Sequence, residues 1–296
     1  MSLTSIMLRL VFGYSDHKRD KGLSTPEDMH RVNDISYGPD KEQVLDVYRP
    51  KGEEGKLPVI VSVHGGGWVY GNKERYQYYC MDLARRGFAV VNFSYRLAPH
   101  HKFPASLADA CSVFSWVLSH AEEHGFDTEN IFAVGDSAGA HLLSLFCCLC
   151  TNPSYAREFS FSAPEGFCPK AIALNCGAYA VNPNGGGQTG RLMKDLIAKE
   201  RWEKDCKLIN VLPFISEGFP PVFYMTCSGD FLEEEAGKLG KQLMEQGITH
   251  EYHYYGDKDH KLGHVFHLNI RLAEAQRCND EECDFFLEKT HAEKSK

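Results

Sequence analysis

The sequence has no long apolar run. Nothing in it reaches the roughly 18 uncharged apolar residues that a membrane-crossing helix needs, and the opening MSLTSIMLRLVFGYSDHK interrupts its short apolar stretch at Arg9. A secretory leader would need a basic start, an unbroken apolar stretch and a small-residue cleavage site. The reading is a cytoplasmic, unexported protein without a membrane span. Excess positive charge is missing too: 32 Lys and Arg against 40 Asp and Glu give a formal net charge of -8. A nucleic-acid partner would favour a basic stripe, so no nucleic acid is expected. The longest acidic run, Glu233 to Glu235, is too short to be a tail. Repeats, low-complexity tracts and clear linkers are absent. The 11 cysteines are odd in number, and Cys147, Cys148 and Cys150 crowd one helical stretch. No CxxC pair meets a second pair or a histidine pair to complete a zinc site. They read as small buried side chains in a reducing compartment, and the chain should fold without disulfide or metal.

What is present is alternation. Residues 44–48 (VLDVY), 58–63 (PVIVSV), 88–93 (FAVVNF), 131–134, 171–175, 222–227 and 250–255 (HEYHYY) read as strands. Between them, residues 73–86, 106–123, 138–150, 233–246 and 265–287 carry helical periodicity. Strands alternating with helices of this length imply a mostly parallel sheet with helices on both faces. The chemistry of such sheets sits at the carboxyl ends of the strands. One domain is expected over 1–296, with a short amphipathic helix at residues 3–12 inside an N-terminal cap segment (1–35). Residues 177–220, rich in Gly, Asn and Pro and helical over 191–207, break the alternation and read as a lid or insertion.

Gly135-Asp136-Ser137-Ala138-Gly139 matches G-x-S-x-G, follows the strand IFAV and opens the helix AHLLSLFCCL. That context makes Ser137 the candidate nucleophile, against the plainer reading of a helix N-cap. His64-Gly65-Gly66-Gly67-Trp68 follows the strand PVIVSV. Glycine amides there, at Gly66 and Gly67, with the Ala138 N–H, are candidate oxyanion donors. A phosphate loop would end in GK[ST], which this one does not. His64 precedes the serine and reads as structural. The expected chain order is serine, acid, histidine. Asp230, at the end of the strand VFYMTC, is the candidate acid, while Glu233, Glu234 and Glu235 read as a helix first turn. His264, after a glycine and before the last helix, is the candidate base; His260 is the main alternative, and His267 lies further on. His250 and His253 read as sheet residues.

With these residues assembled, the chain resembles the α/β-hydrolase esterases and lipases similar to hormone-sensitive lipase, including bacterial acetyl esterases. The resemblance runs from about residue 44 to 287 and rests on HGGGW (64–68), YRLAP (95–99), FPASLADA (103–110), GDSAG (135–139) and GDFLEEEA (229–236). It implies the α/β-hydrolase fold with a Ser137, Asp230, His264 triad and an oxyanion site at Gly66, Gly67 and Ala138. It also implies action on short acyl esters with no cofactor and no metal, and an N-terminal segment that joins a cap. Two departures stand out: His100 where the family usually has an acidic residue, and Val265 where it usually has glycine. The leading expectation is a serine carboxylesterase acting on small acetyl-type esters. An arylformamidase, and a non-catalytic small-molecule receptor on the same scaffold, are the alternatives. The partner is a small-molecule ester, and a homodimer is compatible with the sequence.

Overall fold

The computed structural model describes residues 2–291, so residue 1 and residues 292–296 of the expected domain lie outside the described part. Eight strands form one sheet: β1 Met29–Ser36, β2 Val44–Pro50, β3 Leu57–Val63, β4 Ala89–Phe93, β5 Phe126–Asp136, β6 Ile172–Asn175, β7 Val222–Cys227 and β8 His250–Tyr255. Their order across the sheet is β1-β2-β4-β3-β5-β6-β7-β8. From β4 to β8 every pairing is parallel; β2 joins β4, and β1 joins β2, antiparallel. The mostly parallel sheet expected from the alternation is therefore observed.

The centre of the sheet is apolar because both its faces are covered. Val59, Val61 and Val63 of β3 point to one face and Ile60 to the other, the period of two that a strand dictates. On the first face the helices Ala105–Ser119 and Ala138–Thr151 pack together, with Phe114 stacked on Phe146 at 4.2 Å. On the second lie Lys73–Ala84 and Ala273–His291, where Phe286 stacks on Phe132 at 4.8 Å.

Where structure and sequence reading differ, the cause is local. β1 was not anticipated, because MHRVNDIS is an edge strand that buries only Met29. The N-terminal helix runs Leu3–Asp20, well past residue 12. Gly13 costs it roughly 1 kcal/mol, but Arg19 ties its last turn to Asp16, Asp20 and the Arg75 carbonyl. The helix expected over 191–207 is two, Gly187–Leu196 and Trp202–Leu208, with extended backbone at Ile197 and Ala198 between them. Lys102 Nζ takes the carbonyls of Asp195 and Ile197 there, at 2.7 and 3.3 Å. The final helix begins at Ala273, not 265. Val265 has φ +55°, and a short 3₁₀ turn, Phe266–Leu268, follows it.

Beneath the carboxyl end of β6 lies a buried polar group. Glu282 accepts from Asn175 Nδ2 at 2.6 Å and from Tyr79 Oη at 2.9 Å, and the Asn175 carbonyl accepts from the Ser137 amide at 2.9 Å. Burial pushes the Glu282 carboxyl up to about 7 against these hydrogen bonds. The folded state holds its proton to about pH 7, while the unfolded chain releases it near 4.5. The associated stability is full below about pH 4.5 and is lost as pH rises towards 7. Glu282→Gln keeps an acceptor for Tyr79, and its amide can face Asn175 Oδ1, which has no partner. Urea denaturation should find this variant more stable than the parent at pH 8 and no more stable at pH 5. An equal loss at both pH values would show that ionisation does not burden this site.

Candidate active site

Ser137 sits where β5 meets the helix Ala138–Thr151. Its backbone is left-handed, φ +51° and ψ −115°, a conformation that costs a non-glycine residue of order 1–3 kcal/mol. The neighbours explain how the chain makes this turn. A Cβ on Gly135 would stand 2.8 Å from the Gly139 carbonyl, and one on Gly139 would stand 2.0 Å from the Val63 oxygen. Side chains at either position would push strand, helix and β3 apart.

Asp230 and His264 come from two loops at the same end of the sheet. A single parallel bridge, Gly229 to Gly263, joins the residues just before them. His264 Nδ1 lies 2.6 Å from Asp230 Oδ1. The carboxylate also accepts from Thr226 Oγ1 at 2.8 Å and the Leu232 amide at 2.9 Å. Burial works to raise its pKa, but the hydrogen bond and charge of His264, together with these donors, hold it below the ordinary carboxylate value. His260 is elsewhere, exposed and paired with Glu274 at 2.8 Å. His267 is buried with neither ring nitrogen bonded, and burial lowers it to about 3. Val265, where the resembled family has glycine, occupies the left-handed region that favours glycine.

The HGGGW loop turns with φ +113° at Gly66, +60° at Gly67 and +63° at Trp68. A Cβ on Gly66 would meet the Tyr70 carbonyl at 2.1 Å. Gly65 spends its amide on Tyr76 Oη at 2.8 Å. Among the described residues, the amides of Gly66, Gly67 and Ala138 donate to no protein acceptor. His64 is buried, stacked on Tyr95 at 4.0 Å and lowered to about 4 by burial.

Several residues at the site were not found by sequence reasoning. Asp136 is buried and accepts from Tyr76 Oη at 2.8 Å; burial pushes it up to about 7. Tyr76 thus ties the serine turn to the glycine loop. His141 accepts from Trp68 Nε1 at 3.1 Å and donates through Nε2 to the Ile209 carbonyl at 2.7 Å. Glu235 lies in the first turn of the helix Glu233–Glu245 as expected, and it is also largely buried; its carboxylate accepts from the amides of Tyr179 and Ala180 at 2.9 and 2.6 Å. Asp136 lies within GDSAG and Glu235 within GDFLEEEA, but no motif reveals these hydrogen bonds, because the partners are remote in the chain.

Two cavities open on Ser137. One, of about 290 Å³, is lined by Leu8, Phe12, Gly67, Trp68, Ala138 and Leu192 among others. The second, of about 160 Å³, is lined by His264, Gly66, Asp16, Tyr70 and Ser15 as well. Phe231 stands between them with its ring 4.2 Å from that of His264. A potential metal-ligand group, Cys176 with Asp230 and His264, has its donor atoms within 4.8 Å of one another. Its chemistry fits a metal poorly: Asp230 and His264 spend atoms on each other, and burial holds the Cys176 thiol in its neutral form.

The BD-FAE family model matches residues 45–231. The chain is 38% identical over 252 residues to the carboxylic ester hydrolase LipN of Mycobacterium tuberculosis, a match covering 80% of this chain and 65% of LipN. It is 35% identical over 134 residues to the esterase LipC of the same organism, covering 45% of this chain and 32% of LipC. The matches therefore span between a third and two thirds of those relatives. An inhibited form of esterase B from Lactobacillus rhamnosis superposes with a TM-score of 0.87 at 24% identity, over 98% of this chain and 97% of that one. With its sheet order and its strand-to-helix serine turn, the chain has the α/β-hydrolase fold and belongs to the BD-FAE family, alongside proteins named esterases and carboxylic ester hydrolases.

Proposed function

We propose that this chain is a serine carboxylesterase that hydrolyses small esters through Ser137, His264 and Asp230. One observation carries the reading: a serine in a strained turn shares a cavity with a histidine whose far nitrogen is bonded to a buried carboxylate at 2.6 Å. His264 takes the proton from Ser137 Oγ as that oxygen attacks the ester carbonyl carbon. The amides of Gly66, Gly67 and Ala138 receive the oxyanion. When the carbonyl re-forms, the bond to the alcohol oxygen breaks, and His264 gives its proton to the leaving alcohol. Water then attacks the acyl-enzyme by the same route. Asp230 holds the ring tautomer and stabilises the imidazolium.

The proton path assigns the two cavities. The leaving oxygen must reach His264, so the alcohol occupies the 160 Å³ cavity that His264 lines, and the acyl group the 290 Å³ cavity that it does not. The acyl side is walled by Leu8, Phe12 and Leu192 and is of modest volume, which favours short chains. The alcohol side carries polar groups among its apolar walls. Asp16 accepts from Tyr70 Oη at 2.7 Å and is neutralised by Arg19 at 2.9 Å, which leaves lone pairs for an alcohol that donates hydrogen bonds. A hydroxylated alcohol, such as glycerol or a sugar, fits better than an alkyl one. In this reading residues 1–35 are a cap, since Leu8, Phe12, Ser15 and Asp16 wall the site. Residues 177–220 are a lid, held to the base by Glu235.

Turnover of p-nitrophenyl acetate should exceed that of the octanoate and palmitate, and Ser137→Ala should abolish it. Equal turnover by Ser137→Ala would remove the nucleophile. No turnover at any chain length by a folded protein would shift the reading to an N-formyl substrate or to a receptor. Asp230→Asn should fold normally and lose about 10⁴-fold in kcat; unchanged kcat would take Asp230 out of the mechanism. Asp16→Ala should lower the ratio of kcat/KM for glyceryl monobutyrate over butyl butyrate by about tenfold, the worth of one or two hydrogen bonds. An unmoved ratio would reject the polar alcohol site and leave the serine mechanism intact.

A further inference from the structure

The helix Leu3–Asp20 has two faces, and only one has been accounted for. Its inner face walls the catalytic cavities through Leu8 and Phe12. On its outer face Leu3, Ile6, Met7, Leu10, Val11 and Tyr14 are all exposed, by 43% to 73%. These are six of the ten large apolar side chains exposed in the described chain. Residues 3, 7, 10 and 14 recur at the helical spacing and form one stripe.

The stripe runs into cations. His17, Lys18 and Lys21 follow it and are exposed, and among the described residues none has a carboxylate within ion-pair distance. The acidic residues of the same helix, Asp16 and Asp20, are turned away and bound to Arg19 at 2.9 and 2.7 Å. The outer face therefore carries apolar and positive groups and no free negative charge. An apolar stripe with a basic end is how a helix lies in the plane of a lipid surface with anionic headgroups. The helix spans roughly 27 Å by its rise, and no helix of the described chain is long and apolar enough to cross a membrane. A second copy of the chain is a poorer occupant, since a stable dimer takes about 20–30 residues a side. Phe231, which lines both cavities, is likewise exposed, by 69%.

We propose that the outer face of this helix docks the protein on an anionic lipid surface, with Leu3 to Tyr14 among the acyl chains and Lys18 and Lys21 at the headgroups. Docking there brings the cavities that the inner face of the same helix walls close to the lipid, so that ester substrates enter from that phase. Whether they are then hydrolysed rests on the proposed esterase reading; docking itself does not.

The test is co-sedimentation of the full chain with vesicles of phosphatidylcholine and phosphatidylserine in equal parts, and with phosphatidylcholine alone. Ser137→Ala serves as well as the parent, which separates docking from hydrolysis. Binding is expected to the mixed vesicles, weaker to phosphatidylcholine, and to fall with added salt as the Debye length shortens. Met7→Glu with Leu10→Glu should lower the partition coefficient at least about tenfold with an unchanged thermal melt. Lys18→Glu with Lys21→Glu should weaken binding to the mixed vesicles only. The proposal falls if neither vesicle is bound, or if Met7→Glu with Leu10→Glu binds as the parent does. It also falls if the parent sediments as a dimer that this variant breaks, since the face would then belong to a second copy.

Discussion

The turn at Ser137 is the constraint around which this end of the molecule is arranged. A left-handed serine between strand and helix lifts its side chain out of the sheet only if the helix start lies nearly on top of β3. The 2.0 Å that would separate a Gly139 Cβ from the Val63 oxygen measures how close that approach is. Because β3 leads straight into the HGGGW loop, the same approach brings the loop to the cavities that Ser137 lines. A turn this strained persists only where its surroundings over-determine it, and they do so with apolar strands and with hydrogen bonds that reach across the chain.

Those hydrogen bonds have a common design. Tyr76 links Asp136 to Gly65, His141 links Trp68 to Ile209, and Glu235 links its helix to Tyr179 and Ala180. Each joins segments far apart in sequence at the carboxyl end of the sheet. Each is buried, so an unmet donor or acceptor would cost more there than in water. The framework thus fastens the glycine loop, the serine turn and the 177–220 segment to one another. His264 and Asp230 are held separately, by the bridge at Gly229 and Gly263 and by the donors around the carboxylate.

The N-terminal helix belongs to both the interior and the exterior of this arrangement. Ser2 and Ser5 bind Asp195, which seats it on the helix Gly187–Leu196, and Arg19 fixes its far end near Arg75. It therefore contributes walls to both cavities while leaving an apolar stripe outside. In an ordinary globular protein such a stripe would turn inward. Here the inward positions are already taken by Leu8, Phe12 and Asp16.

The sequence by itself determined the parallel α/β order, since β-branched runs such as PVIVSV and FAVVNF alternate with helical periods. It also marked the serine turn, the glycine loop, and Asp230 and His264 as candidates in their chain order, because each lies in a short segment near a strand end. Only the tertiary structure decided the rest. It paired His264 with Asp230 and His260 with Glu274, since a loop histidine acquires its partner from a segment remote in sequence. β1 appeared only as an edge that β2 supplies with hydrogen bonds. Glu235, Asp136 and His141 took their meaning from burial beside remote partners, and the outward stripe of the first helix became visible only once its inner face was covered. Periodicity and spacing are local quantities, whereas burial and hydrogen-bond partnership are set by contacts between segments that the sequence keeps far apart.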